Sequence, residues 1–280
     1  MAQLDRLVWA AGASGVCYGV RVGLRVTDET ALEAAVGRLP PGWAASSDPR
    51  ADRVFSFVVG GTGQRPGVRR MHLLYADARL VARTARGEEA LNALESEARL
   101  YVAERARGRV FVHAGVVGGK GRAIVIPGRS HTGKSRLVHA LVQEGATYYS
   151  DEYAVLDGRG RVHAFPAPLS IRAEPGTEGR RIPPEELGAE AGSPPLPVGL
   201  VVVGSYARGR RTRLRPASTA AAALALLSNA VPARRRPAAV LSTLSKVARR
   251  APALSGTRGE AQEAARHLLA VEAAWPEEGA

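Results

Sequence analysis

Hydrophobic and polar residues alternate with a period of two over 18–27, and the period lengthens to that of a helix over 28–39, opened near Thr27 or Asp28 and stopped by Pro40-Pro41. A polar loop is expected over 40–53. Strands are expected over 54–59 and 71–82, parted by a turn-rich stretch from Gly60 to Gly67. Over 87–106, Leu91, Leu94, Ala98, Leu100 and Val102 fall near helical spacing, which predicts a helix leading out of a small α/β unit that spans 1–105.

Residues 106–280 make the second expected unit. Strands over 110–117 and 123–126 are joined as a hairpin across Gly118-Gly119-Lys120-Gly121. Leu137, Val138, Leu141 and Val142 pair at i, i+4 along one face of a helix that Gly145 stops. Short strands follow at 147–149, 153–156, 162–165 and 200–203. The intervening stretch 173–197, rich in Pro, Gly and Glu, is expected to be a mobile surface loop suited to a lid or a substrate contact. Helical patterns cover 217–229, 237–247 and 259–274, and no internal repeat is found. The expected class is α/β.

Composition sharpens this picture in three respects. With 45% hydrophobic but only 5% aromatic residues, the core must be aliphatic, as expected where helices cover a sheet. The formal net charge of +13 invites a nucleic-acid reading, but only three of the 39 basic residues are lysines (Lys120, Lys134 and Lys246). Such an arginine bias fits a GC-rich coding background better than a selected polyanion surface, although a basic surface still favours anions such as ATP or acidic peptides. The lone cysteine, Cys17, excludes an intramolecular disulfide and a cysteine-clustered zinc site. Stretch 7–20 is cut by three glycines and 224–227 is short, so no membrane span is expected. Residues 1–6 lack the features of a secretion signal, which predicts a cytoplasmic protein.

Gly128-Arg129-Ser130-His131-Thr132-Gly133-Lys134-Ser135 reads G-x-x-x-x-G-K-S between a strand and a helix, the setting of a phosphate-binding loop. Gly128 and Gly133 let the backbone curl so that successive N–H groups face phosphate oxygens, and the helix adds the positive end of its dipole. These eight residues would then bind a nucleotide, with Lys134 reaching the β- and γ-phosphates and the Ser135 hydroxyl ligating Mg²⁺. The alternative is a glycine-rich turn that matches by chance. Asp151 and Glu152 end the strand after the loop's helix; in a parallel arrangement that strand's carboxyl end lies beside the phosphates. They would hold the metal or take a proton, or else are surface carboxylates at a strand end. His113 interrupts the apolar strand 110–117, either as a satisfied core histidine or as a third member of the site.

His113-Ala114-Gly115, the loop at Gly128 to Ser135, and Ser150-Asp151-Glu152 stand in an order and spacing that resemble the HPr kinase/phosphorylase family, whose phosphate-loop domain is related to that of phosphoenolpyruvate carboxykinase. The match runs from His113 to Leu156, with weaker similarity through 165–172. The resemblance implies that family's phosphate-loop fold with a mixed sheet, Asp151 as the base that activates a serine hydroxyl, Glu152 and Ser135 near Mg²⁺, and His113 close to the reacting phosphate and to Asp151. It implies ATP and Mg²⁺ as cofactors, a serine-bearing protein or peptide as acceptor and, because members form hexamers, a homo-oligomer. Asp151-Glu152 stands where the family usually has two aspartates, and the Glu-x-Arg-Gly segment is not recognisable, although Arg172 lies in a similar region. The chain thus resembles the shorter HPr-kinase-like group, some of whose members phosphorylate serine in ribosomally made peptides such as lasso-peptide precursors. Two rival readings are a nucleotide-gated binding or assembly ATPase without a phosphorylated product and, ranked last, a nucleic-acid protein using 208–215 and Arg234-Arg235-Arg236.

Overall fold

The computed structural model describes residues 4–60, 71–128, 132–171, 180–188 and 194–274. They form an α/β protein with mixed sheets that divides into two units, Met1–Arg107 and Gly108–Ala280.

In the first unit β1 (Ala11–Cys17), β2 (Val20–Val26), α1 (Leu32–Val36), β3 (Ala44–Ala45), β4 (Arg53–Val58), β5 (His72–Ala76), β6 (Arg79–Thr84) and α2 (Gly87–Arg105) follow in chain order. The sheet runs β3-β1-β2-β4-β5-β6 and is antiparallel except where β2 lies beside β4. Val20, Val22, Leu24 and Val26 turn into the core at every second position of β2. Leu91, Leu94, Ala98 and Val102 of α2 supply the buried stripe that covers β5 and β6.

No element was expected over 11–17, and two expectations, those for 71–82 and 28–39, are corrected in this unit. Stretch 11–17 is a strand despite its glycines, because all seven of its residues pair with β2 across a two-residue turn. Stretch 71–82 is two strands, since the turn after Ala76 consumes only two residues and leaves the apolar pattern almost unbroken. The expected helix over 28–39 is a 3₁₀ turn capped by Asp28, whose carboxylate accepts from the Thr30 N–H, continuing into the short α1. Burial pushes the Cys17 thiol up to about 12, which leaves it unreactive.

The second unit continues with β7 (Arg109–Gly119), β8 (Arg122–Pro127), α3 (Lys134–Gln143), β9 (Thr147–Ser150), β10 (Tyr153–Asp157), β11 (Arg161–His163), β12 (Leu169–Ile171), β13 (Arg180–Ile182), β14 (Leu196–Tyr206), β15 (Arg213–Ala217), α4 (Thr219–Ser228), α5 (Pro237–Arg250), β16 (Ala253–Arg258) and α6 (Ala261–Ala273). Its main sheet runs β11-β10-β7-β8-β14-β16-β15, with β9 also on β7 and the start of β14 returning to β11. Strands β8, β14 and β16 are mutually parallel, so their carboxyl ends share one edge, from which the chain leaves β8 at Gly128. On one face of the sheet Ile124 and Ile126 pack with Leu137 and Leu141 of α3 and Leu268 of α6. On the other, Val112, Val116 and Val125 pack with Leu226 of α4 and Leu244 of α5. Alternate residues of one strand thus feed two aliphatic cores.

Sequence periodicity underestimates this sheet. β14 has eleven residues where 200–203 was expected, and β15 and β16 were not foreseen at all. Arginine-rich 208–215 is a turn followed by the start of β15, an edge strand whose exposed arginines suit solvent. Of the loop expected over 173–197, residues 180–188 are a strand and a 3₁₀ turn that bury Ile182 and Leu187 in the core, contrary to a surface loop. Residues 196 and 197 begin β14, while 173–179 and 189–193 lie outside the described residues. No helix among the described residues is long and apolar enough to cross a membrane.

Candidate functional site

Three stretches far apart in the chain meet at the middle of β7. On one side Ala114 pairs with Pro127, and the Gly128 N–H donates to the His113 carbonyl at 3.0 Å, so the stretch that opens at Gly128 departs directly from His113. On the other side the Ala114 N–H donates to the Glu152 carbonyl at 3.2 Å. Strands β9 and β10 lie end to end along that side of β7, with Ser150 opposite Val116 and Tyr153 opposite His113. Asp151 and Glu152 are the step between them. The buried Ser150 hydroxyl accepts from the Glu152 and Tyr153 N–H groups at 3.1 and 3.0 Å, which holds the step in place. The expectation of a parallel partner is corrected here: β9 pairs antiparallel with β7, not with β8. Because β8 is antiparallel to β7 as well, β9 still runs in the direction of β8 with one strand between them.

Helix α3 begins at Lys134 directly after Gly133, which has φ 76°, a left-handed conformation that glycine adopts without strain. No side chain caps this helix among the described residues. The Lys134 stem lies over Gly115, where a Cβ would come within 2.5 Å of Val138 and 3.1 Å of Lys134, so the strand's third motif residue makes room for the lysine. The Lys134 ammonium donates to the Asp151 carbonyl oxygen and stands 3.4 Å from Asp151 Oδ1. The Ser135 hydroxyl donates to Asp151 Oδ2 at 2.6 Å. One carboxylate therefore touches the side chains of both Lys134 and Ser135.

Burial drives the Asp151 carboxyl above its ordinary pKa, against the opposing pull of the Lys134 charge and the hydrogen bonds from Ser135 and Lys134. A carboxyl raised towards working pH is suited to exchanging a proton. His113 shares the sheet face of Gly115, two residues away on the strand, and its ring lies 4.8 Å from that of Tyr153. Phe111 and Phe165 pack edge-on against Tyr153 at 5.5 Å.

Residues Gly128, Thr132, Gly133, Lys134, Ser135, His113, Asp151 and Glu152 thus gather at one place, while Arg129, Ser130 and His131 lie outside the described residues, as does Arg172. The carboxylate on the Ser135 hydroxyl is Asp151, the residue that the resemblance implies as the base, while it implies Glu152 with Ser135 near Mg²⁺. No set of three histidine, cysteine or acidic side chains forms a metal site among the described residues. Mg²⁺ needs no such set, since it takes one or two carboxylates with substrate phosphate oxygens and water, and the hard oxygens of Asp151 and Ser135 fit that pattern.

Sequence reasoning missed Arg258. At the carboxyl end of β16, only 2% exposed, it donates from Nη2 to the Thr132 carbonyl at 2.7 Å and from Nε to the Gly204 carbonyl at 3.2 Å. Burial holds its guanidinium pKa below the usual arginine value. Nothing in the sequence separates it from the other arginines, because neither β16 nor its burial shows in the local pattern. Compared with known proteins, the chain matches no family model and no curated protein.

Proposed function

We propose that the second unit is an HPr-kinase-like kinase that binds ATP with Mg²⁺ on Gly128 to Ser135 and transfers the γ-phosphoryl group to a serine-type hydroxyl of a protein or peptide. The observation that carries this reading is the Asp151 carboxylate bonded to Ser135 and beside Lys134, at the foot of a loop anchored on His113. The hairpin β7–β8, helix α3 and strand β9 ending beside Asp151 follow one another in chain order, which supports the reading.

Lys134 and the N–H groups that open α3 would hold the phosphates, and Ser135 with Asp151 would hold the metal. When bound, Mg²⁺ draws charge from the phosphoryl oxygens. Asp151 takes the hydroxyl proton as the acceptor oxygen bonds to phosphorus and the bond to the bridging oxygen of the departing ADP breaks. His113 lines the same face, next to the loop's origin. Catalysis is then mostly positioning and electrostatics.

Transfer of labelled phosphate from ATP to a serine-bearing peptide tests the proposal. K134A and D151N are each expected to lower transfer by at least about a hundredfold, the scale of a lost base or charge clamp. Full transfer by D151N refutes the role of Asp151. A second reading draws on the same contact: a carboxylate bonded to the Ser135 hydroxyl is placed to hold metal, as in a nucleotide-gated ATPase. That protein would release inorganic phosphate and label no peptide.

A further inference from the structure

We propose that Arg258 is a positioning residue that fixes the Thr132–Gly133 peptide of the phosphate loop in its anion-binding orientation, an inference that rests on the nucleotide reading above. The carbonyl and the N–H of a trans peptide point in opposite directions. With the Thr132 carbonyl held by Arg258 Nη2 at 2.7 Å, the Gly133 N–H is aimed away from the guanidinium. Gly133 adopts φ 76° at this point and passes the chain into α3, so the orientation of one peptide sets the entry of Lys134 and Ser135 into the site.

The guanidinium cannot swing away. Nε is tied to the Gly204 carbonyl on β14 while Nη2 holds the loop, and a planar fork bonded at two points has one orientation. Tyr206, whose register partner is Arg258, closes the same corner: a Cβ on Gly133 would stand 3.4 Å from the Tyr206 Cβ and 3.8 Å from Arg258 Nη2. The charge itself argues in the same direction. Among the described residues Arg258 bonds only to carbonyls and pairs with no carboxylate, so a buried positive charge stands uncompensated against the loop. Such a charge is costly unless an anion comes near, and phosphate is the anion that this loop's N–H groups would receive.

Titration calorimetry with Mg²⁺–ADP on the full chain tests the assignment, with the ligand-free melting temperature measured beside it. R258Q removes the cation. G204A leaves the cation but displaces it, since the new Cβ would lie 2.7 Å from Arg258 Cγ and 2.9 Å from Cδ. Both are expected to weaken ADP binding at least about tenfold, the loss of one charged hydrogen bond, with R258K, which keeps the charge and one donor, losing less. If R258Q does not fold, G204A and R258K decide. Unchanged affinity in these variants, or an affinity loss that merely tracks a lowered melting temperature, overturns the inference. A wild-type protein that binds no Mg²⁺–ADP sinks the nucleotide reading itself, a result visible before any substitution is made.

Discussion

Asp151 carries two opposed demands, an acid out of water and an acid beside a cation, and burial is the stronger of them. Its folded pKa is raised, so the native protein holds this proton more tightly than the unfolded chain does. Its contribution to ligand-free stability is complete below the ordinary carboxylate pKa of about 4 and is lost as pH rises through the raised value. D151N cannot titrate there. Urea melts at successive pH values should therefore show wild type losing stability relative to D151N as pH rises above about 4, and parallel profiles would contradict the shift. The loop from Gly128 to Ser135 was legible at this scale because its spacing is local. Arg258 was not, since a guanidinium bonded to a loop more than a hundred positions away leaves no mark in its own neighbourhood.

Helix α3 docks on β7 through the absence of a side chain. Replacing Gly115 by alanine puts a Cβ against Val138 and the Lys134 stem, a forced overpacking expected to cost about 1–3 kcal/mol. Urea denaturation should show that loss, and Mg²⁺–ADP binding should weaken with it because Lys134 is displaced. A stable G115A protein with full affinity would show that the lysine does not depend on this contact. The hydrophobic period of α3 and the hairpin before it were plain in the sequence. The step at Asp151 and Glu152 was not, because two strands laid end to end on one neighbour read locally as a strand that stops and another that starts. Residues 180–188 misled for a related reason: Pro, Gly and Glu mark a surface loop, but Ile182 and Leu187 had core partners that composition cannot reveal.

Every residue assigned to the candidate site lies in Gly108–Ala280, which has aliphatic cores on both faces of its own sheet. That unit made alone should fold cooperatively and bind Mg²⁺–ADP as tightly as the full chain. Calorimetry on the fragment checks this, and a loss of binding would show that the first unit contributes to the site. The division into two units was visible as the helical period over 87–106 between two strand-rich stretches, and the structure draws the boundary at Arg107.

Local pattern by itself determined the α/β class, the hairpin into a glycine-lined loop and the helix after it. These follow from periods and spacings a few residues long, which physical chemistry reads without knowing the fold. Only the tertiary structure decided which carboxylate meets Ser135, that β9 reaches its place through β7, and that a buried arginine holds the loop from behind. Each of these depends on strand order and burial, and those are set by how distant apolar segments share two cores.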